Sequence, residues 1–191
     1  MTIAQHDLDV RKAQPAHARR LGDVLTAAFW DDPVFRWAMP DDDRRLGDLP
    51  ELFDAFVAGF LPLGGTYTTA IGSGAALWAP PGTAPEVDLD PAWMSAWPRM
   101  GEVVELLEST HPHEACWYLN LLAVEPSAQG RGIGAALLRE VLAIADSSGV
   151  PAYLEATSPS NRRLYERHGF VTTAELRVSD CPPLWAMWRR P

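Results

Sequence analysis

The residues able to do chemistry in this chain gather late in the sequence. They are a glycine-rich turn, Gln129-Gly130-Arg131-Gly132-Ile133-Gly134-Ala135, then the carboxyl of Glu155 and the phenol of Tyr165. Three glycines within five residues leave the turn's backbone bare, so its N–H groups can approach a ligand closely. The turn stands where a helix begins, so unpaired N–H groups and the positive end of the helix dipole point the same way. That arrangement suits a pyrophosphate, with Arg131 as one mobile charge at its rim. The same residues would also make a plain strand-to-helix turn with no ligand, because short glycine motifs are weakly specific. A P-loop is excluded, since it needs a lysine and the only one here is Lys12. A Rossmann turn is nearer: Gly130, Gly132 and Ala135 fit G-x-G-x-x-A, and Glu155 follows at about the expected interval. Against it, four residues separate Val124 from Gln129, and only 56 follow Ala135. Taken alone, Tyr165 reads as a core aromatic beside Phe170, and Glu155 equally as a structural or a catalytic carboxylate.

Other chemistries find less support. His111-x-His113 with Cys116 has the flavour of a metal site but lacks a fourth ligand at fixed spacing. There is no G-x-S-x-G elbow, and Cys116 has no evident activating base. Cys116 and Cys181 are too few and too far apart for a disulfide framework. The formal charge of −9 on 191 residues argues against a nucleic-acid groove, which needs a dense basic stripe. Met1 to Val10 carries no apolar run, so no leader is expected there. Ala55 to Pro85 has no charged residue but is broken by Gly59, Pro62, Gly64, Gly65, Gly72 and Gly74, unlike a membrane helix. A cytoplasmic location is expected, without membrane or nucleic-acid partners.

These groups must be held by a mixed α/β layout. Helices are predicted over Ala16–Trp30, Asp42–Leu61 and about Pro91–Leu107, from apolar stripes such as Leu21, Val24, Leu25, Phe29 and Leu46, Leu49, Leu52, Phe53. Asp31-Asp32-Pro33 should end the first. Thr66–Ile71 and Ala75–Ala79 read as a hairpin about Gly72-Ser73-Gly74. Trp117–Val124 is nearly all apolar and reads as a central strand buried on both faces. Gly132–Ser147 reads as a helix burying Ile133, Leu137, Val141 and Ile144, and Pro151–Ala156 as the next strand. Ser158-Pro159 is a cap opening a helix to His168. Strands over Phe170–Val178 and Leu184–Trp188 close the chain. A single domain over 1–191 is expected.

Several of these pieces, in this order, resemble one family. Gln129-x-x-Gly132-x-Gly134 is similar to the Q/R-x-x-G-x-G/A motif of the GCN5-related N-acetyltransferases, the GNAT superfamily. Leu122-Ala123-Val124-x-Pro126 before it and Leu154-Glu155 after it also match. So does Asn161 with Leu164-Tyr165-Glu166-Arg167-x-Gly169-Phe170. Within the superfamily the chain resembles the puromycin N-acetyltransferase group. That likeness runs through His111-Pro112, Trp117-Tyr118-Leu119, the short step from Asn161 to Tyr165, and Trp185-x-Met187. It extends to the N-terminal half through Ala27-Ala28-Phe29, Asp32-Pro33 and Arg36.

The resemblance implies a GNAT fold, one mixed sheet of six or seven strands flanked by helices and splayed at its middle. It implies acetyl transfer from acetyl-CoA to a primary amine of a small molecule, directly within a ternary complex and without a metal. Leu122, Ala123 and Val124 would offer backbone to the pantetheine arm, as to an added strand. Gln129, Gly130, Arg131, Gly132, Ile133, Gly134 and Ala135 would cradle the pyrophosphate, and Asn161 would be a further CoA contact. Tyr165 would protonate the leaving thiolate and Glu155 would deprotonate the amine. A backbone N–H near Leu122 would polarise the thioester carbonyl. A Rossmann-like NAD(P)-dependent oxidoreductase and a catalytically silent acyl-CoA-binding module are the alternatives. The oligomeric state, monomer or homodimer, stays open. Residues 1–128 carry a net −11 and residues 129–191 a net +2, so an acidic half is expected to face a cationic acceptor. Trp30, Trp37, Trp93 and Trp97 lie in that half as core residues, one or two of which could line an aromatic pocket.

Overall fold

The computed structural model of the chain describes residues 8–191; of the stretch Met1–Val10, expected to hold no leader, residues 1–7 lie outside it. Helix α1, Ala18–Phe29, buries Leu21, Val24, Leu25 and Phe29, the stripe its spacing predicts. Asp32 does more than end it. Its carboxylate accepts from the N–H groups of Val34 (2.9 Å) and Phe35 (3.3 Å), and with Pro33 at the first position it starts a short helix α2, Pro33–Ala38. Helix α3, Asp42–Phe60, buries Leu49, Leu52, Phe53, Val57 and Phe60, but Leu46 is 69% exposed and lies off the stripe. The helix expected over Pro91–Leu107 is two, α4 (Pro91–Ala96) and α5 (Pro98–Thr110). Pro98 lacks an N–H and holds Trp97 outside the helical region, which breaks the run.

Arg45 ties this helical layer together. Its fully buried guanidinium donates to the Met39 carbonyl (2.6 Å), pairs with Asp42 (2.7 Å) and lies 4.4 Å from the Trp30 ring centroid. Three phenylalanines, Phe29, Phe35 and Phe53, meet beside it with ring centroids 5.1–5.4 Å apart.

Strands β1 (Val10–Lys12), β2 (Thr66–Thr69), β3 (Gly74–Ala79), β4 (Trp117–Val124), β5 (Ala152–Ala156), β6 (Val171–Leu176) and β7 (Leu184–Arg189) form one seven-stranded sheet. Its order is β1-β2-β3-β4-β5-β7-β6, and every neighbouring pair is antiparallel except β4 with β5. A doubly wound Rossmann sheet is thereby ruled out. Helices α6 (Ile133–Ser148) and α7 (Pro159–Glu166) follow β4 and β5; α7 stops short of His168, and Ile144 of α6 is 39% exposed rather than buried. Among the described residues no helix is long and apolar enough to cross a membrane.

The parallel contact is short: Trp117 pairs with Ala152, Tyr118 with Tyr153 and Leu119 with Leu154. Beyond that, β4 stays with β3 and β5 stays with β7. On the β3 side, Trp78 faces Leu119 and Leu77 faces Leu121, which leaves Asn120 as an extra residue, a β-bulge. The bulge switches which face each later side chain takes. Leu121 and Ala123 join the cluster of α1, α3, α4 and α5, whereas Leu119 belongs to the cluster of α6 and α7. Contrary to the expectation of a strand sealed on both faces, Asn120, Leu122 and Val124 are half-buried because β5 has turned away.

Across the layers, Asp32 also accepts from the Thr157 hydroxyl at 2.5 Å, 125 residues on. Asp32→Ala removes the α2 cap and this tie together. We expect it to lower stability by about 2–3 kcal/mol, read as a lower urea midpoint. Asp32→Asn, which keeps an acceptor for the N–H groups, should recover part of that.

Candidate active site

Where β4 and β5 part, a cavity of about 960 Å³ opens, and Leu122, Glu155, Asn161 and Tyr165 all line it. Four residues singled out in the sequence thus come from three elements to one space. Ala123 and Val124, which continue β4, and the 129–135 turn are not among the lining residues.

Glu155 sits one residue past the last pair joining β5 to β4. Its Oε2 accepts from the Tyr118 hydroxyl at 2.8 Å, and that hydroxyl accepts in turn from Asn120 Nδ2 at 3.3 Å. Its Oε1 is buried and makes no close hydrogen bond among the described residues. Burial pushes the carboxyl up to about 7, against the downward pull of the Tyr118 and Tyr153 hydroxyls and its own backbone N–H. Tyr118, raised well above the ordinary phenol value by burial and by Glu155, keeps its proton. Aromatic rings enclose the pair: His111 lies edge-on to Tyr118 at 4.7 Å and Tyr153 lies 5.8 Å from it. Burial and the charge of His113 hold His111 below its usual range.

Tyr165, on the second turn of α7, meets Phe170 edge-on at 6.0 Å and is buried. No hydrogen bond contributes to its titration; burial, and secondarily the carboxylate of Asp32, raise it. It is therefore a phenol that holds its proton at every physiological pH. Asn161 stands on the first turn of the same helix, whose cap is Ser158, accepting from the Asn161 N–H at 3.2 Å.

The glycine-rich turn is built to leave backbone bare. Gly130 (φ 73°) and Gly132 (φ 85°) take the left-handed conformation, and a Cβ on either would meet nothing within 4 Å. No side chain caps α6 and no acidic residue occupies its first turn, so its leading N–H groups are free of both. Gln129 Nε2 ties the turn to β4 by donating to the Val124 carbonyl at 3.1 Å. Two side chains depart from the expected cradle. Ile133, 1% exposed, is packed in the core and offers only its backbone; Arg131 is tethered to the Ser127 carbonyl at 2.9 Å rather than mobile. At Gly134 a Cβ would lie 3.6–3.8 Å from Leu164, Val124 and Leu122, between β4 and α7.

The opposite wall was not legible in the sequence. Trp93 and Trp97 are buried in the core, their indole N–H groups donating to Asp48 (3.1 and 2.8 Å), and Trp37 donates to Asp180 at 3.0 Å. None of the four tryptophans lines the cavity; Phe29, Phe35, Phe56, Met94 and Met100 do. The acidity of residues 1–128 is also elsewhere, since among the described residues Glu108 and Glu114 alone of that half join Glu155 in the lining, and Glu114 is paired with Arg190. The acceptor side is thus apolar, not acidic. Cys116 lines it as a thiol pushed up to about 11 by burial and nearby glutamates. Tyr118, Asn120 and His111 stand around Glu155 in the cavity and were not singled out as a group with it in the sequence. Only the alternation along β4, which puts Tyr118 on a different face from Leu119, hinted at the first.

A model of the acetyltransferase (GNAT) family matches residues 78–170. The crystal structure of a histone acetyltransferase HPA2 and related acetyltransferase from Corynebacterium glutamicum ATCC 13032 is similar at a TM-score of 0.77 and 32% identity, covering 96% of each chain. An uncharacterized N-acetyltransferase of Schizosaccharomyces pombe (strain 972 / ATCC 24843) is 24% identical over 206 residues, 95% of this chain and 83% of that protein. A polyamine N-acetyltransferase of Drosophila melanogaster, which catalyzes the formation of N-acetylagmatine, shares the fold at a TM-score of 0.67 and 16% identity, covering 95% of this chain and 99% of that one.

Glu155 also leaves a mark on stability. Its folded-state value of about 7 lies above the ordinary 4.5, so its contribution is complete below about 4.5 and is lost as pH rises through about 7. Relative to the parent, Glu155→Gln should therefore gain about 3 kcal/mol between pH 4 and pH 8.5, measured by urea unfolding at both. A constant difference would mean that the carboxyl ionises as if exposed.

Proposed function

The chain belongs to the GNAT family of acetyltransferases and is an acyltransferase, and on that premise we propose that it moves an acetyl group from acetyl-CoA to a primary amine of a small molecule, by direct transfer while both are bound. One observation carries the reading: a buried carboxyl raised to about 7 and a proton-holding phenol, from different elements, line one cavity where β4 and β5 part. The Drosophila fold neighbour acts on a small amine, which supports that acceptor class. The likeness to puromycin N-acetyltransferases adds an aminonucleoside to the acceptors worth testing.

The residues present fit acetyl-CoA. The uncapped start of α6 and the bare backbone of Gly130 and Gly132 suit a pyrophosphate, which Gln129 to Ala135 would hold through N–H groups. The β4 backbone at Leu122, Ala123 and Val124 has no β5 partner and would receive the pantetheine amides. Asn161 would add a polar contact. Bound there, acetyl-CoA supplies the acetyl carbon and a thiol leaving group.

The protein's part is to move two protons. An amine enters as an ammonium and must lose one before it can attack. Glu155 does not take it directly, because Oε1 is sealed and Oε2 is covered by the Tyr118 hydroxyl. Tyr118 accepts the ammonium proton on its oxygen as it passes its own to Glu155 Oε2, so the phenol stays neutral and the carboxyl becomes an acid. A β4 backbone N–H near Leu122 stabilises the charge that develops on the carbonyl oxygen. Tyr165 then gives its proton to the departing sulfur and is reprotonated by the second proton, which the nitrogen sheds as the amide forms.

Thiol release from acetyl-CoA against a panel of amines tests the reading; release with none would overturn it. In the parent, kcat/KM should rise with pH through about 7, where Glu155 loses its proton. Glu155→Gln and Tyr118→Phe should both lower the alkaline plateau, by about 10²-fold or more. A Tyr118→Phe variant that keeps the plateau and merely shifts the limb would assign Tyr118 to holding Glu155 in place. Tyr165→Phe should lower kcat by a similar factor while leaving acetyl-CoA affinity, read by calorimetry, within about twofold.

A further inference from the structure

We propose that the acceptor is a monoamine with an apolar body, an alkyl or arylalkyl amine, rather than a polyamine, an amino acid or a phosphorylated amine. The inference rests on the acetyl transfer proposed above and adds the class of substrate. Its basis is what the cavity wall contains and what it lacks.

The cavity that Tyr118 and Glu155 line is also lined by Phe29, Phe35, Phe56, Met94, Met100 and Val103. Phe35 and Phe56 are only half-buried, so part of their ring surface is left for a ligand. Among the described residues no lysine or arginine lines the cavity. An acceptor bearing a carboxylate or phosphate would bury that charge without a partner, at a cost of several kcal/mol. Negative charge is equally scarce. Glu114 is engaged by Arg190, and Glu108 stands exposed on α5, in contact with water. Inside, the one carboxyl among the described residues is Glu155, whose Oε2 accepts from the Tyr118 hydroxyl. One ammonium is therefore served, at the place where the acetyl group must arrive. A second would be pressed against phenylalanine and methionine.

The wall's position follows from the fold. Phe29 ends α1, Phe35 lies in α2 and Phe56 in α3, a corner fixed by the buried Arg45 guanidinium between Trp30, Met39 and Asp42. It is preformed apolar surface with a single polar terminus, which selects a ligand of the same polarity pattern.

The test is a series of straight-chain amines from propylamine to hexylamine, with phenylethylamine, 1,6-diaminohexane, agmatine, glycine and puromycin, assayed by thiol release from acetyl-CoA at pH 8.5. We expect kcat/KM to rise about three- to fourfold with each added methylene, and hexylamine to exceed 1,6-diaminohexane by at least about tenfold. Phe56→Glu places a second carboxylate in the wall and should shift the hexylamine-to-diaminohexane ratio at least about tenfold toward the diamine. A flat methylene series overturns the proposal. So does a diamine, agmatine or puromycin turned over faster than every apolar monoamine, while acetyl transfer itself stands. Thiol release with no amine at all overturns the acetyl-transfer reading, and this inference with it.

Discussion

Three parallel residue pairs hold the two parts of this sheet together, and the rest of the molecule depends on their being so few. After Leu119 and Leu154 the strands diverge, one following β3 and the other β7. The divergence is written into β4 by the bulge at Asn120, which adds a residue on one side and bends the strand. Backbone that would have been consumed by pairing is left available inside the protein, a state ordinarily costly unless something else fills it. The cavity exists because the sheet is incomplete. Glu155 reaches it because it is the first residue of β5 that no longer faces β4.

Dryness then assigns the roles of the titratable groups. Burial raises a carboxyl, a phenol and a thiol alike, but the consequences differ with where each begins. Glu155 moves from well below neutrality to about 7, where it can exchange a proton under ordinary conditions. Tyr118 and Tyr165 move further from neutrality and remain proton carriers. Cys116, at about 11, becomes inert. One physical cause, burial, carries a carboxyl, two phenols and a thiol to different distances from neutrality.

Local pattern carried the elements that frame the site. Trp117–Val124 was readable as a strand from its apolar run, α6 from its period and its glycines, and α7 from the Ser158-Pro159 cap, because each signal is contiguous. What escaped depends on registration between distant segments. Tyr118 and Glu155 are 37 residues apart and meet only through parallel pairing; Asp32 and Thr157 are 125 apart. The bulge has no residue signature of its own, since Asn120 looks like any polar residue in a strand. Tryptophan was the obvious choice for an aromatic pocket, yet its indole N–H needs an acceptor. Trp93 and Trp97 found Asp48 in the helical layer, leaving the wall to phenylalanine. Pro98 was visible throughout, and its power to split the helix outweighed the apolar period around it.

The short seam also partitions the protein's inheritance. The wall that would judge the acceptor is drawn from helices and loops that precede β4. Glu155, Asn161 and Tyr165 all follow it. The two stretches meet at β4 through three residue pairs and the Tyr118–Glu155 contact, and beyond it through side-chain ties such as Asp32–Thr157, Trp37–Asp180 and Glu114–Arg190. Drift at Phe35 or Phe56 in the first stretch can remodel a pocket while leaving Glu155, Asn161 and Tyr165 in the second unchanged. A gene divided this way can change what it acts upon many times while keeping the act itself.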